Sequence, residues 1–218
     1  MTKGAAPPIL RENAAAWHAE LLALRQQKAP KKQTDKVQQR YRHKQVKVAL
    51  VQAFYGRCAY CESQITAVTY GAIEHFFPKS RYPDRTFAWE NLLLACDVCN
   101  SCKGDTFPLA ADGTPLLVNP STENPAAHLQ FDWNPTTGLA SIYGRDRRGE
   151  AVVALFDLNG TAGRTDLMAR RSRYVKKLMA LKNLAASHPE AQILLQEARD
   201  RTRSESEYQA FASCFADS

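Results

Sequence analysis

Apolar residues recur every three to four positions between Ile9 and Gln27, at Ile9, Leu10, Trp17, Leu21, Leu22 and Leu24, which predicts an amphipathic helix. Ala29-Pro30-Lys31-Lys32 interrupts it. From Asp35, a residue type that caps helix N-termini, a second helix is expected to run to about Tyr55, burying Val37, Tyr41, Val48, Val51 and Phe54 and turning its basic residues outward. Gly56 ends it. Leu129, Phe131 and Trp133 alternate with polar neighbours. Asn134-Pro135-Thr136-Thr137-Gly138 then leads to Ala140 and Ile142, a β-hairpin pattern with a third strand expected at Ala151 to Phe156. Helical spacing returns over Thr165 to Ala186, Pro189 to Arg201 and Glu205 to Phe215. The class implied is α+β, in three segments: a basic helical arm at 1–55, a cysteine-rich module at 56–110 and an α+β region at 111–218.

Composition narrows the setting. An apolar share of 44% is that of a folded chain. Met1 to Leu10 lacks the apolar stretch of a secretory signal, and nowhere do about 18 uncharged apolar residues run together. The expectation is a cytoplasmic protein with no membrane partner. Net charge is +7 and unevenly distributed: nine Lys or Arg residues lie between Arg25 and Lys47 against one acid, Asp35. A second cluster runs from Arg164 to Lys177. Such segments attract polyanions by releasing condensed counterions, although a solvated helix face has the same composition.

The cysteines carry the first specific chemistry. Cys58-Ala-Tyr-Cys61 and Cys96-Asp-Val-Cys99 are two Cys-x-x-Cys knuckles, enough thiolates for one closed tetrahedral Zn²⁺ site with a structural role. Cys102 forms an overlapping knuckle with Cys99 and competes for the fourth ligand place. Between the knuckles lie Ile73-Glu74-His75-Phe76-Phe77-Pro78-Lys79 and Trp89-Glu90-Asn91-Leu92, and the second knuckle continues into Asn100-x-x-Lys103-Gly104. A histidine with its pKa near neutrality suits a general base, and carboxylate and amide oxygens suit Mg²⁺ or Mn²⁺. Glu74 and His75 are adjacent, so they can share one site only where the strand bends or ends. Lys79, Arg81, Arg85 and Lys103, together with Arg40, Arg42, Lys44 and Lys47 of the arm, are candidate phosphate contacts.

The acid beside a histidine, the asparagine opening a second strand and the asparagine on a following helix resemble the ββα-metal fold of HNH nucleases. That resemblance implies His75 as the base that activates water. It also implies Glu74 and Asn100 as ligands of a hydrolytic Mg²⁺ or Mn²⁺, and Asn91 as the residue that holds the strand-connecting loop. Glu74 stands where HNH proteins commonly carry aspartate. More closely, Cys58-Ala-Tyr-Cys61-Glu62, Ile73 to Ser80, Asn91-Leu92-Leu93 and Cys99 to Asp105 resemble the HNH nuclease subunits of Septu-type and retron-associated anti-phage systems. Weaker echoes occur at Lys3-Gly4, Pro7-Pro8, Val118-Asn119-Pro120 and Leu155 to Asn159. The resemblance implies a PtuA-type ATPase partner and nucleic acid, DNA foremost, as substrate. A zinc-knuckle module that binds without cutting and a stand-alone HNH restriction-type nuclease remain the alternatives. The arm at 25–47 is open to two roles, holding phosphates or docking the ATPase through Tyr41, Val48 and Val51.

Overall fold

The computed structural model describes residues 3–66, 69–200 and 207–216. They form two compact units, Met1–Ala59 with Ile65–Phe107, and Tyr60–Gln64 with Pro108–Ser218. The helical arm set apart in the sequence at 1–55 therefore packs with the cysteine-rich module in one unit.

In the first unit, helix α1 spans Pro8–Gln26, with Pro8 in the first turn where no backbone N–H is needed. The single long helix expected from Asp35 to Tyr55 is divided. Helix α2 covers Lys31–Gln38, a one-turn 3-10 segment covers Gln39–Arg42, and α3 covers Lys44–Ala53. The break falls at His43, whose backbone is extended and whose ring accepts a hydrogen bond from Gln45 N. Restarting the helix there shifts its phase. The residues turned inward are Val46, Leu50 and Phe54, all fully buried, whereas Val48 is 53% exposed. Strand β1, Ala72–His75, pairs antiparallel with β2, Leu92–Ala95, in the register His75 to Leu92 and Glu74 to Leu93. Helix α4, Asp97–Lys103, follows directly and completes a ββα unit. All four residues of β2 are buried, so its apolar run is the floor of this unit. Gly71 enters β1 with φ of +65°. A Cβ there would meet Ile65 Cγ2 at 2.9 Å and Ala95 O at 3.2 Å, so only glycine fits.

In the second unit, β3, Leu129–Asn134, and β4, Leu139–Gly144, form the expected hairpin. The third strand expected at Ala151 to Phe156 is instead part of α5, Arg147–Leu155. Asp146 caps α5 by accepting hydrogen bonds from Arg148 N and Gly149 N, and a short unbroken apolar run does not distinguish strand from buried helix. Helices α6, Thr165–Ala185, α7, Pro189–Arg199, and α8, Gln209–Ala216, follow. The start of the helix expected at Glu205 lies outside the described residues. Leu178, Ala185, Ala191, Leu195 and Ala212 form the apolar centre of these three helices. Arg171 is buried on α6 and acts as a strut, donating to Ala140 O, Leu158 O and Asn159 Oδ1. Among the described residues no helix is long and apolar enough to cross a membrane.

Candidate active site

β1 ends at His75, and this ending lets neighbouring side chains serve one site: Glu74, His75, Lys79 and Asn100 line a single cleft of about 390 Å³, with Tyr41, Arg42, Lys47 and Asp105. His75 is 4% exposed. Its Nε2 lies 2.9 Å from Thr86 O, and a carbonyl oxygen only accepts, so Nε2 carries the proton and Nδ1 the lone pair. Nδ1 has no hydrogen-bond partner among the described residues. Tyr41 meets the imidazole edge to face, with centroids 4.5 Å apart and planes at 86°, and so fixes the ring plane from the arm. Burial pushes the His75 pKa down to about 3; the Thr86 carbonyl opposes this, and Lys79, Lys103 and Arg42 add to it. The imidazole is therefore neutral at physiological pH with its lone pair available, but its pKa lies well below the near-neutral value expected from the sequence, because burial disfavours the cation.

Asn91, 3% exposed, stands just before β2 and clamps the loop that returns from β1. Its Oδ1 accepts from Phe77 N at 2.7 Å, and its Nδ2 donates to Phe77 O at 3.0 Å and Arg85 O at 2.9 Å. The clamp ends one residue before Thr86, the partner of His75. The start of the chain braces the same turn, because Lys3 Nζ donates to Trp89 O and Leu92 O, each at 2.6 Å, and Trp89 Nε1 donates to Gly4 O. Neither Thr86 nor Tyr41 is marked as a site residue by its local sequence. Thr86 acts through its backbone, and Tyr41 reads as one more apolar position of a helix.

Glu74 is 6% exposed, and its Oε1 lies 2.8 Å from the Nζ of Lys103, which is itself fully buried. Lys103 also donates to His75 O at 2.8 Å. Lys103, expected as a phosphate contact, is thus an internal residue with no reach to a bound polyanion. Burial raises the Glu74 pKa, and the charges of Lys103, at contact distance, and of Lys79 oppose the shift. The remaining oxygen, Oε2, has no hydrogen-bond partner among the described residues. A carboxylate with an uncommitted oxygen and the Asn100 amide, lining one cleft, are a donor set that fits a hard divalent cation.

The expected cations are differently disposed. Arg42 and Lys79 flank the cleft, both near the Tyr41 ring, at 5.7 and 5.8 Å from its centroid. Lys47 also lines the cleft but donates to Gly71 O, and burial lowers its pKa. Lys44 is exposed on α3. Arg40 is paired with Glu20 at 2.5 Å, and Arg81 donates to Phe107 O. Arg85 stacks on the Phe77 ring at 3.9 Å.

The sulfur atoms of Cys58, Cys61, Cys96 and Cys99 all lie within 4.8 Å of one another. This is a four-thiolate set that suits a tetrahedral ion. Cys102 is not part of this group, whose fourth member is Cys96, which also caps α4 by accepting from Cys99 N at 3.4 Å. Cys214 is exposed on α8, apart from the cluster.

Residues 58–106 match the family model of the HNH endonuclease, and this stretch is an HNH endonuclease domain. The chain is 30% identical over 164 residues to the Septu protein PtuB of Bacillus mycoides (strain KBAB4), covering 63% of this chain and 53% of that protein. It is 31% identical over 116 residues to the Septu protein PtuB of Bacillus thuringiensis, covering 52% and 41%. The chain spans about half the length of these curated relatives. No solved structure matches it.

Proposed function

We propose that this protein is a metal-dependent endonuclease that hydrolyses phosphodiester bonds, with DNA as its substrate, and that it acts as the nuclease subunit beside a PtuA-type ATPase in anti-phage defence. The nuclease part is supported above all by the state of His75: Nε2 is committed to Thr86 O, and Nδ1 is unpartnered in a cleft shared with Glu74 and Asn100. Nδ1 accepts a proton from the attacking water, while Tyr41 and the Thr86 carbonyl keep the ring from turning. Glu74 and Asn100 would hold one Mg²⁺ or Mn²⁺. Such an ion supplies Lewis-acid stabilisation of charge on the phosphate and the departing oxygen. Arg42 and Lys79 contribute positive potential where the backbone would lie. Cys58, Cys61, Cys96 and Cys99 would bind Zn²⁺ and tie the ends of the module together.

The ATPase and defence assignments are supported by the likeness to the two Septu proteins and rest on nothing else. The test is incubation of purified protein, with and without the ATPase, on plasmid DNA, single-stranded DNA and transfer RNA with Mg²⁺, Mn²⁺ or a chelator. Metal-dependent cutting of DNA that is lost in His75→Ala is the expected result. Binding without cutting under every condition would leave a zinc-knuckle binding module, and cutting that is indifferent to the ATPase would leave a stand-alone nuclease.

A further inference from the structure

A fully buried lysine inside a nuclease-like site asks for an explanation, because burying an ammonium is costly unless the cation is paired and hydrogen-bonded. Lys103 meets both conditions with two partners on one strand end, Glu74 Oε1 and His75 O, each at 2.8 Å. These belong to the proposed ligand and the proposed base. The lysine comes from α4, three residues after Asn100 and therefore on a neighbouring position of the same helix face. One side chain thus links the strand carrying Glu74 and His75 to the helix carrying Asn100.

We propose that Lys103 is a positioning residue that occupies one oxygen of Glu74 and so limits this carboxylate to single-oxygen coordination of the catalytic cation. The proposal rests on the nuclease reading above. Oε1 is held by the ammonium, and Oε2, without a hydrogen-bond partner among the described residues, is the oxygen left free on a side chain that lines the cleft. The same ammonium holds the His75 carbonyl, so the position of the ligand oxygen and that of the base are set together. Glutamate is a methylene longer than aspartate and has one more torsion to fix, and the ion pair removes that freedom. Lys103 also places a positive charge near the cation, which weakens metal binding in exchange for a defined geometry.

The effects on metal affinity and on catalysis therefore have opposite signs. In Lys103→Gln at pH 8, Oε1 is released and a nearby like charge is gone, so Mn²⁺ measured by calorimetry or by its electron-spin signal should bind more tightly, by ~10-fold or more. The turnover number should fall, while KM for nucleic acid stays unchanged because the side chain has no exposed surface. A purely structural lysine would leave Mn²⁺ affinity unchanged or lower it in step with loss of fold, and either result in folded protein overturns the proposal. A second measurement uses the unaltered protein: the infrared carboxylate bands that shift on adding Mn²⁺, assigned by their loss in Glu74→Gln. A wide separation of the antisymmetric and symmetric stretches supports single-oxygen coordination, and a narrow one refutes it even if no Lys103 variant folds. Mn²⁺ bound at Glu74 by one oxygen, without cleavage of any nucleic acid, would end the nuclease reading and leave this one standing. Cleavage by a site in which both oxygens of Glu74 bind the ion would do the reverse.

Discussion

Replacing Asn91 with alanine tests the clamp on which the base depends. The substitution removes the hydrogen bonds to Phe77 N, Phe77 O and Arg85 O from a residue that is 3% exposed. Each such bond contributes about 1 kcal/mol net, and a donor or acceptor left unpaired in the interior costs about 1–3 kcal/mol. Loop residues reach water more easily than core residues do, so the lower end applies and the sum is about 3 kcal/mol. For a unit of roughly 100 residues that corresponds to a fall in Tm on the order of 10–20 °C. The loop carries Thr86, so the orientation of His75 goes with it, and cleavage should drop further than the lost stability accounts for at a temperature where the variant is still folded. Asn91 does not line the cleft, so Mn²⁺ affinity should be retained. Thermal unfolding by near-ultraviolet circular dichroism, cleavage at low temperature and Mn²⁺ titration make the three readings. A Tm within about 3 °C of the parent together with full activity would refute the clamp argument.

His75→Ala should lower cleavage by ~10²- to 10⁴-fold while nucleic-acid binding persists, and a loss of only a few-fold in a single-turnover assay would remove His75 from the mechanism. Serine in place of any one of Cys58, Cys61, Cys96 or Cys99 should release bound zinc and unfold the module, whereas Cys102→Ser should do neither, with elemental analysis and circular dichroism as the readouts. Reversing Arg42 and Lys79 to glutamate should weaken binding to all sequences alike and reduce the slope of log K against log salt by roughly one per lost phosphate contact, measured by fluorescence anisotropy. Lys3 has its pKa lowered by burial to about 8 from 10.5, with Glu90 opposing the shift, so the unfolded chain holds more protons between these values. Stability relative to Lys3→Met should therefore rise as pH increases from about 8 to 10.5, and a flat difference in denaturant midpoint over that window would contradict the assignment.

The sequence by itself marked the residues that the cleft and the cysteine cluster bring together, and most of the elements that carry them. Two cysteine knuckles, an acid beside a histidine and two asparagines at suitable spacing are local features, and each needs only its own residue type and offset to be read. The β3–β4 hairpin and helices α1 and α6 were legible for the same reason, since alternation and helical spacing are local periodicities. Tertiary structure decided whatever depends on which groups meet. Charge and position alone make Lys103 look like its neighbour Lys79, and only the packing of α4 on β1 turns it into the buried partner of Glu74. Likewise, the sequence favoured Cys96 with Cys99 but left Cys102 as a competitor, because an overlapping knuckle offers sulfur at the right offset either way; the fold groups Cys96 with Cys58, Cys61 and Cys99. The split at His43 and the helix in place of a third strand reflect the same limit, since a side-chain cap and a buried apolar run take their meaning from neighbours distant in the chain. Thr86 offers a backbone carbonyl that every residue possesses, and its contact with His75 exists only once the loop held by Asn91 has closed.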